Sequence, residues 1–376
     1  MTLLVQKFGG TSVGSLERIQ AVAAQIKVTY QTGAALVIVV SAMSGETDRL
    51  LRLAYQITPH PSPRELASLI TLGEQTCMNL LALCLQHIDV PAITLTGAQA
   101  GIKTEHCYLS ARIEAIDCQS IQVHLNQKKV VVIAGFQGVT EAGDITTLGR
   151  GGSDTSAVAL AAALQANECQ IYTDVDGIYT ADPRLVTKAT RLTQIDLPLM
   201  LELASLGAKV LQLRSVELAG KYHVPLRVLS SFHEGAGTLI DYATAAATTD
   251  KLESPMVVGL AHKTGIIQCH LTLTNPSYLA TLLHDFAKHA ISIEHVNHRP
   301  DGPLILYITE SVRDALTERC EHAHQRGQLT AWCSYVGLAR LALVGQGVRS
   351  QLGIMERFFA VLQVEKIIWH DFFSSE

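Results

Sequence analysis

A lysine, two glycines and two hydroxyls stand together at Lys7, Gly9, Gly10, Thr11 and Ser12, directly after the first apolar run of the chain. Glycines after a strand let backbone N–H groups close on an anion, because no Cβ stands in the way. A lysine at the strand end adds a point charge for the same anion. A second stretch, TLGRGGSDTSAVAL at 147–160, puts Arg150 and Gly152 at the entry to a helix, whose N-terminus favours negative charge. Ser153 or Asp154 is placed to cap that helix. Two glycine cradles with Lys7, Arg150 and Lys209 point to a polyphosphate and a second anionic substrate. The first loop is no Walker sequence, since GxxxxGK[ST] is absent and Lys7 precedes the glycines; GxGxxG is absent there as well.

Something must hold these loops side by side. Over the first ~240 residues, strand-like and helix-like segments alternate, which predicts a mostly parallel sheet covered by helices on both faces. LLVQKF, ALVIVVSA, PAITLT, KVVVIAGF and ECQIYTDV read as strands. SLERIQAVAAQIKVTYQ, RELASLITLGEQTCMNLLALCLQ, SARIEAIDCQSIQVHL and SDTSAVALAAALQ read as helices. Ligands of such sheets sit beyond the C-terminal strand ends, and KFGGTSVG, SAMSG, GFQG and TLGRGGSD each follow an apolar run there. The small-residue segment 235–255 reads as a domain junction, giving domains at 1–245 and 255–376. Beyond it a βαββα order marks a ferredoxin-like α+β module. LARLALVG, a helix over about 349–363 and VEKIIWHDF look like the start of a second, incomplete copy.

Composition limits the classes. The 376 residues are 48% hydrophobic and 17% charged with a net charge of −5, so there is no basic footprint for nucleic acid. No uninterrupted apolar run approaches the ~20 residues of a spanning helix, and no signal peptide is evident, so no membrane partner and a cytoplasmic location are expected. The eight cysteines contain no CxxC pair and read as core residues. No sequence pattern names a protein metal ligand.

KFGGTSVG (7–14), SAMSG (41–45), GE (73–74), GFQG (135–138), TTLGRGGSDTSA (146–157), YTDVDGIYTADPR (172–184) and GAKVL with RSVELA (207–219) together closely resemble the aspartate kinases. The resemblance runs in order through roughly residues 3–230. It implies the amino-acid kinase fold, an αβα sandwich around a largely parallel sheet, followed by ACT-like regulatory modules. It implies transfer of the ATP γ-phosphoryl group to the β-carboxylate of L-aspartate, the entry to lysine, threonine and methionine. Such a transfer asks the protein for positioning and charge stabilisation, and the carboxylate nucleophile needs no base.

By the same resemblance, Lys7 sits against the transferring group, and Gly9, Gly10, Thr11, Ser12 and Gly152 line the phosphate path. Ser41, Glu74, Arg150 and Ser153 hold the amino-acid substrate, Glu74 on its ammonium and Arg150 on its α-carboxylate. Asp154 caps its helix, orients Lys7, or both. Thr173, Asp174, Tyr179, Arg184 and Lys209 belong to the nucleotide side. Mg²⁺ is expected to bridge ATP oxygens with phosphate and water as its main ligands.

The chain departs from the family pattern at three places. Gln212 stands where a histidine is usual after GAKVL. The first ACT-like turn reads LTNPSYLATL, with Asn275 and Pro276 and no following glycine. The second module stops early. The last two departures predict a homodimer through the ACT-like region, with weakened feedback; the alternative keeps lysine or threonine inhibition near 348–353. Two other functions stand beside the main one: a kinase for glutamate or a related acid, and a non-catalytic amino-acid-binding regulator.

Overall fold

The computed structural model describes residues 2–208, 210–242, 256–298, 302–346 and 352–373. Lys209, most of the stretch read as the junction, and residues 348–351 of the proposed effector turn lie outside the described residues. The chain divides into two compact units, one of residues 1–205, 209–259 and 345–376, the other of residues 206–208 and 260–344.

In the first unit the strands are β1 (Leu3–Phe8), β2 (Ala35–Val40), β3 (Ala92–Leu95), β4 (Ile102–Thr104), β5 (Ile113–Ile116), β6 (Val130–Ala134), β7 (Gln137–Val139), β8 (Ile145–Thr147), β9 (Glu168–Thr173), β10 (Gln194–Asp196), β11 (Leu226–Ser230) and β12 (Thr238–Asp241). Eight of them form one sheet in the order β10-β12-β11-β9-β1-β2-β6-β3. Every pair in it is parallel except β11–β12. β1 lies in the interior, so Lys7 is flanked in register by Val39 and Ile171.

The inner strands β2 and β6 are wholly apolar, as strands covered on both faces are. On one face, Leu36, Ile38 and Val40 of β2 and Val130 and Val132 of β6 join a buried cluster. Their partners are Ile19, Val22 and Ile26 of α1 (Leu16–Gln31), and Cys77, Leu81 and Leu85 of α4 (Leu72–His87). Ser15 caps α1, accepting a bond from the Arg18 N–H. α6 (Gly152–Ala163) packs against β1, β2 and β9 and against α8 (Leu213–Tyr222). Its small residues Ala157, Ala159 and Ala161 allow that close approach and are buried.

The remaining helices before the second unit are α2 (Glu46–Ile57), α3 (Pro63–Ile70), α5 (Gln119–Asn126) and α7 (Leu197–Leu206). α3 and α4 are separated by Thr71 alone; together they run 25 residues, Pro63–His87, and contain an 18-residue window long and apolar enough to cross a membrane. Half of that window is buried in the protein, and Leu66, Ile70, Cys77 and Leu81 are core residues. A buried core helix explains the stretch.

Two sequence expectations change. Residues 110–125 do not form one helix: Ile113–Ile116 is β5, antiparallel to β4, and α5 begins only at Gln119. The two isoleucines, three apart, have the spacing of a helix turn, and pairing with β4 overrides it. Part of the stretch read as the junction is structured, since β12 adds to the main sheet through Asp241.

The second unit carries β13 (Met256–Leu273), α9 (Tyr278–Lys288), β14 (Ile293–His298), β15 (Leu304–Thr309), α10 (Arg313–Gln325) and β16 (Leu329–Gln346). Their sheet order β14-β15-β13-β16 is that of a complete ferredoxin-like βαββαβ module. Leu282 and Phe286 of α9 and Leu316 and Cys320 of α10 cover one face with Ile267, Leu271, Leu306 and Ile308. LARLALVG therefore continues the fourth strand of this module. Of a second copy, the described residues hold α11 (Leu352–Val364); residues 365–373 have no regular secondary structure. All eight cysteines are free thiols.

Candidate active site

The parallel strands end at one edge, and the loops leaving them carry the chemistry. After β1 the chain turns through Gly9 and Gly10 into α1. The Gly9 N–H donates to the Tyr172 carbonyl of β9, at 3.2 Å, and the Ser12 N–H closes a turn on the Gly9 carbonyl at 2.9 Å. A Cβ on Gly10 would stand 3.0 Å from the Ala42 carbonyl oxygen of the SAMSG loop. Gly10 is thus needed where two strand-end loops meet.

Lys7 is buried at the end of β1, and its ammonium lies 2.6 Å from a carboxylate oxygen of Asp154. Both side chains are about one-tenth exposed. A pair this dry is costly to break from one side, because the other charge is left buried. Asp154 sits in the first turn of α6 but does not cap it. The cap position is Gly151, left-handed at φ +70°, with no side-chain cap bond. The expectation that Ser153 or Asp154 caps the helix gives way to a glycine turn, and the Asp154 carboxylate is held by Lys7 instead.

Glu74 is buried in the first turn of α4. One carboxylate oxygen accepts the Ala42 N–H at 3.1 Å, and the other is buried with no partner among the described residues. Burial pushes its pKa up to about 7, against the pull of the Ala42 N–H. A carboxylate with a free, buried oxygen is a ready acceptor for a cationic group. Ser41 follows β2 directly, its N–H bonded to the Phe8 carbonyl at 3.1 Å. Ser153 is buried in α6, and a Cβ on Gly135, at the end of β6, would lie 2.8 Å from its own Cβ. Arg150 is exposed in the loop before α6 and makes no hydrogen bond or ion pair with the described residues.

The other predicted positions spread further. Thr11 is exposed, whereas Ser12 is fully buried and its hydroxyl faces the Tyr172 carbonyl and the Ser231 hydroxyl. Thr173 ends β9, its hydroxyl donating to Asp174 at 3.1 Å. The Tyr179 hydroxyl donates to Asp176, which pairs with Arg191, and Arg184 pairs with Asp182. Among the described residues, none of these side chains makes a hydrogen bond or ion pair with Lys7 or Asp154.

Several residues at this edge carried no signal in the sequence. Phe136 has φ +68°, a strained conformation for an aromatic residue, beside the α6 entry. Its N–H is held by the Ser156 hydroxyl at 3.1 Å. Arg18 reaches from α1 to the Ser231 carbonyl at 2.6 Å. No group of three His, Cys, Asp or Glu side chains suited to a metal occurs among the described residues.

Comparison with known proteins agrees with this arrangement. The model of the amino acid kinase family matches residues 2–230. The aspartokinase of Pseudomonas aeruginosa is 46% identical over 98% of this chain and 90% of its own length. The structure of E. coli aspartokinase III in complex with aspartate and ADP, in its R-state, superposes with a TM-score of 0.78. It is 26% identical, over 96% of this chain and 92% of that one. The same enzyme with lysine and aspartate, in its T-state, gives 0.72 at 26% identity over 96% and 91%. By family match, full-length relatives and the geometry of its strand-end loops, the chain belongs to the amino acid kinase family, among the aspartokinases.

Proposed function

We propose that this chain transfers the γ-phosphoryl group of ATP to the β-carboxylate of L-aspartate, giving 4-phospho-L-aspartate. The observation that carries the reading is the buried Lys7–Asp154 pair set between the two glycine turns. Lys7 offsets charge on the transferring group, and Asp154 fixes where the ammonium points. Gly10 and Thr11 offer backbone N–H groups along the phosphate path, which Gly9 and Gly152 line without a Cβ and Ser12 walls. The free oxygen of Glu74 takes the substrate ammonium, Arg150 takes the α-carboxylate as a bidentate fork, and Ser41 and Ser153 complete the pocket. Thr173, Asp174, Tyr179, Arg184 and Lys209 form the nucleotide side. When bound, Mg²⁺ would neutralise charge across the phosphates, held mainly by phosphate and water oxygens.

We assign catalysis to residues 1–245 and a regulatory, dimer-forming role to residues 255–376. Feedback is read as weakened. The Asn275 side chain is already engaged, accepting the Ser277 N–H at 2.9 Å to build the turn before α9. The test is MgATP-dependent acyl phosphate formation, trapped as the hydroxamate, with aspartate and glutamate side by side. Turnover of aspartate supports the reading, and turnover of glutamate alone overturns it.

A further inference from the structure

Arg214, in the first turn of α8, reaches two backbone carbonyls in distant parts of the chain. One Nη donates to the Leu148 carbonyl at 2.8 Å, the other to the Ala111 carbonyl at 2.9 Å. It is half-buried, and no carboxylate lies within ion-pair distance of it among the described residues. Holding a guanidinium there on carbonyls alone has a desolvation cost, so the segments it joins are the place to look for its use.

Those segments brace one strand end. The Ala111 N–H donates to the Thr147 carbonyl and the Leu148 N–H to the Phe136 carbonyl, each at 2.8 Å. With Arg214 on the Leu148 carbonyl, every polar backbone group across Thr147–Leu148 that faces the loop is tied down. Only Gly149, Arg150 and Gly151 then separate this clamp from α6. Both glycines are left-handed, at φ +77° and +70°. Gln212, two residues before Arg214, lies over the second: a Cβ on Gly151 would come within 1.9 Å of its Cγ. Arg150 is therefore the single side chain of a three-residue span held at one end by Arg214 and at the other by α6.

We infer that Arg214 is a positioning residue that fixes Arg150, and with it the α-carboxylate of the amino-acid substrate. The inference rests on the aspartate kinase reading. Methionine has the length of the arginine stem but no donors, so Arg214→Met frees the Leu148 carbonyl and loosens the span. Lysine keeps the charge but reaches one carbonyl only.

The experiment measures steady-state hydroxamate formation by wild type, Arg214→Met, Arg214→Lys, Arg150→Ala and the Arg150→Ala/Arg214→Met double variant, with thermal melting of each. The expected result is an aspartate KM raised about tenfold in Arg214→Met, the scale of one lost charge-assisted hydrogen bond. The ATP KM stays unchanged, the lysine variant falls between, and Arg214→Met has no further effect once Arg150 is alanine. An unchanged aspartate KM in Arg214→Met overturns the inference. So does an equal rise in both KM values with early melting, or full additivity with Arg150→Ala. Should Arg214→Met fail to fold, Arg214→Lys decides, since an unchanged aspartate KM there is equally contrary. Absence of aspartate turnover in the wild type would overturn the functional reading itself, whereas an active wild type with an indifferent Arg214 overturns this inference alone.

Discussion

At the scale of single residues, the site depends on charges kept dry. Lys7→Ala leaves Asp154 buried and unpaired and removes the cation from the phosphoryl group. We expect kcat to fall by two orders of magnitude or more, about the cost of losing one electrostatic stabiliser. Glu74 gives a second, pH-dependent test. Its carboxyl titrates at about 7 in the fold and at an ordinary 4.5 when unfolded. Between those values the folded state holds a proton the unfolded chain has lost, so stability falls as pH rises through the window. Above it, the buried charge costs on the order of 3 kcal/mol. Glu74→Gln should therefore melt higher than wild type at pH 8 without substrate and equally at pH 4.5, as differential scanning calorimetry would show. The same residue must be ionised to take the substrate ammonium. Accordingly kcat/KM for aspartate should rise with pH to about 7 and level off, and Glu74→Gln should lose that dependence along with aspartate affinity. Equal melting of the two proteins at pH 8 would show that the carboxylate carries no such cost.

At the scale of elements, the loops matter more than the strands that carry them. Gly151→Ala combines a left-handed backbone with a Cβ overlapping Gln212, and either Gln212 or the α6 entry must move. We expect loss of aspartate binding with a moderate fall in melting temperature, measured by calorimetry and the hydroxamate assay together; normal affinity would contradict the packing. This is also the scale at which the sequence was most and least legible. β2 and β6 are continuous apolar runs followed by a serine and a glycine, β1 and β9 mix apolar with polar residues, and the parallel sheet followed from their alternation with helices. Lys7 and Asp154 were recognisable from their motifs, and one of the two roles open to Asp154 is seen. β5 was read as helix because its two isoleucines, three apart, have helical spacing, and pairing with β4 overrides that signal. Glu74 could be placed on a helix, but its burial depends on how Ala42 packs, about thirty residues away in sequence. Arg214 was invisible as an anchor: its partners are backbone carbonyls 66 and 103 positions distant, which no side-chain pattern encodes.

At the scale of the whole molecule, the proposal assigns catalysis and regulation to different parts of the chain. The ferredoxin-like module is complete within β13 to β16, whereas α11 and the segment after it stand where a second would begin. That segment folds on α11, with Phe359 5.3 Å from Trp369 and 5.4 Å from Phe372 between ring centroids. Light scattering is expected to report a homodimer, and a monomer at assay concentration would contradict the role given to residues 255–376. Lysine and threonine, alone or together, are expected to leave turnover unchanged; inhibition by either would show a working effector site. The central claim is that a Lys7–Asp154 pair drives phosphoryl transfer to aspartate, and one comparison tests it most directly. Hydroxamate formation from aspartate and MgATP is measured for wild type and Lys7→Ala, each verified as folded. The account predicts robust turnover in the first and almost none in the second. Equal turnover in both, or none in the wild type, would contradict it.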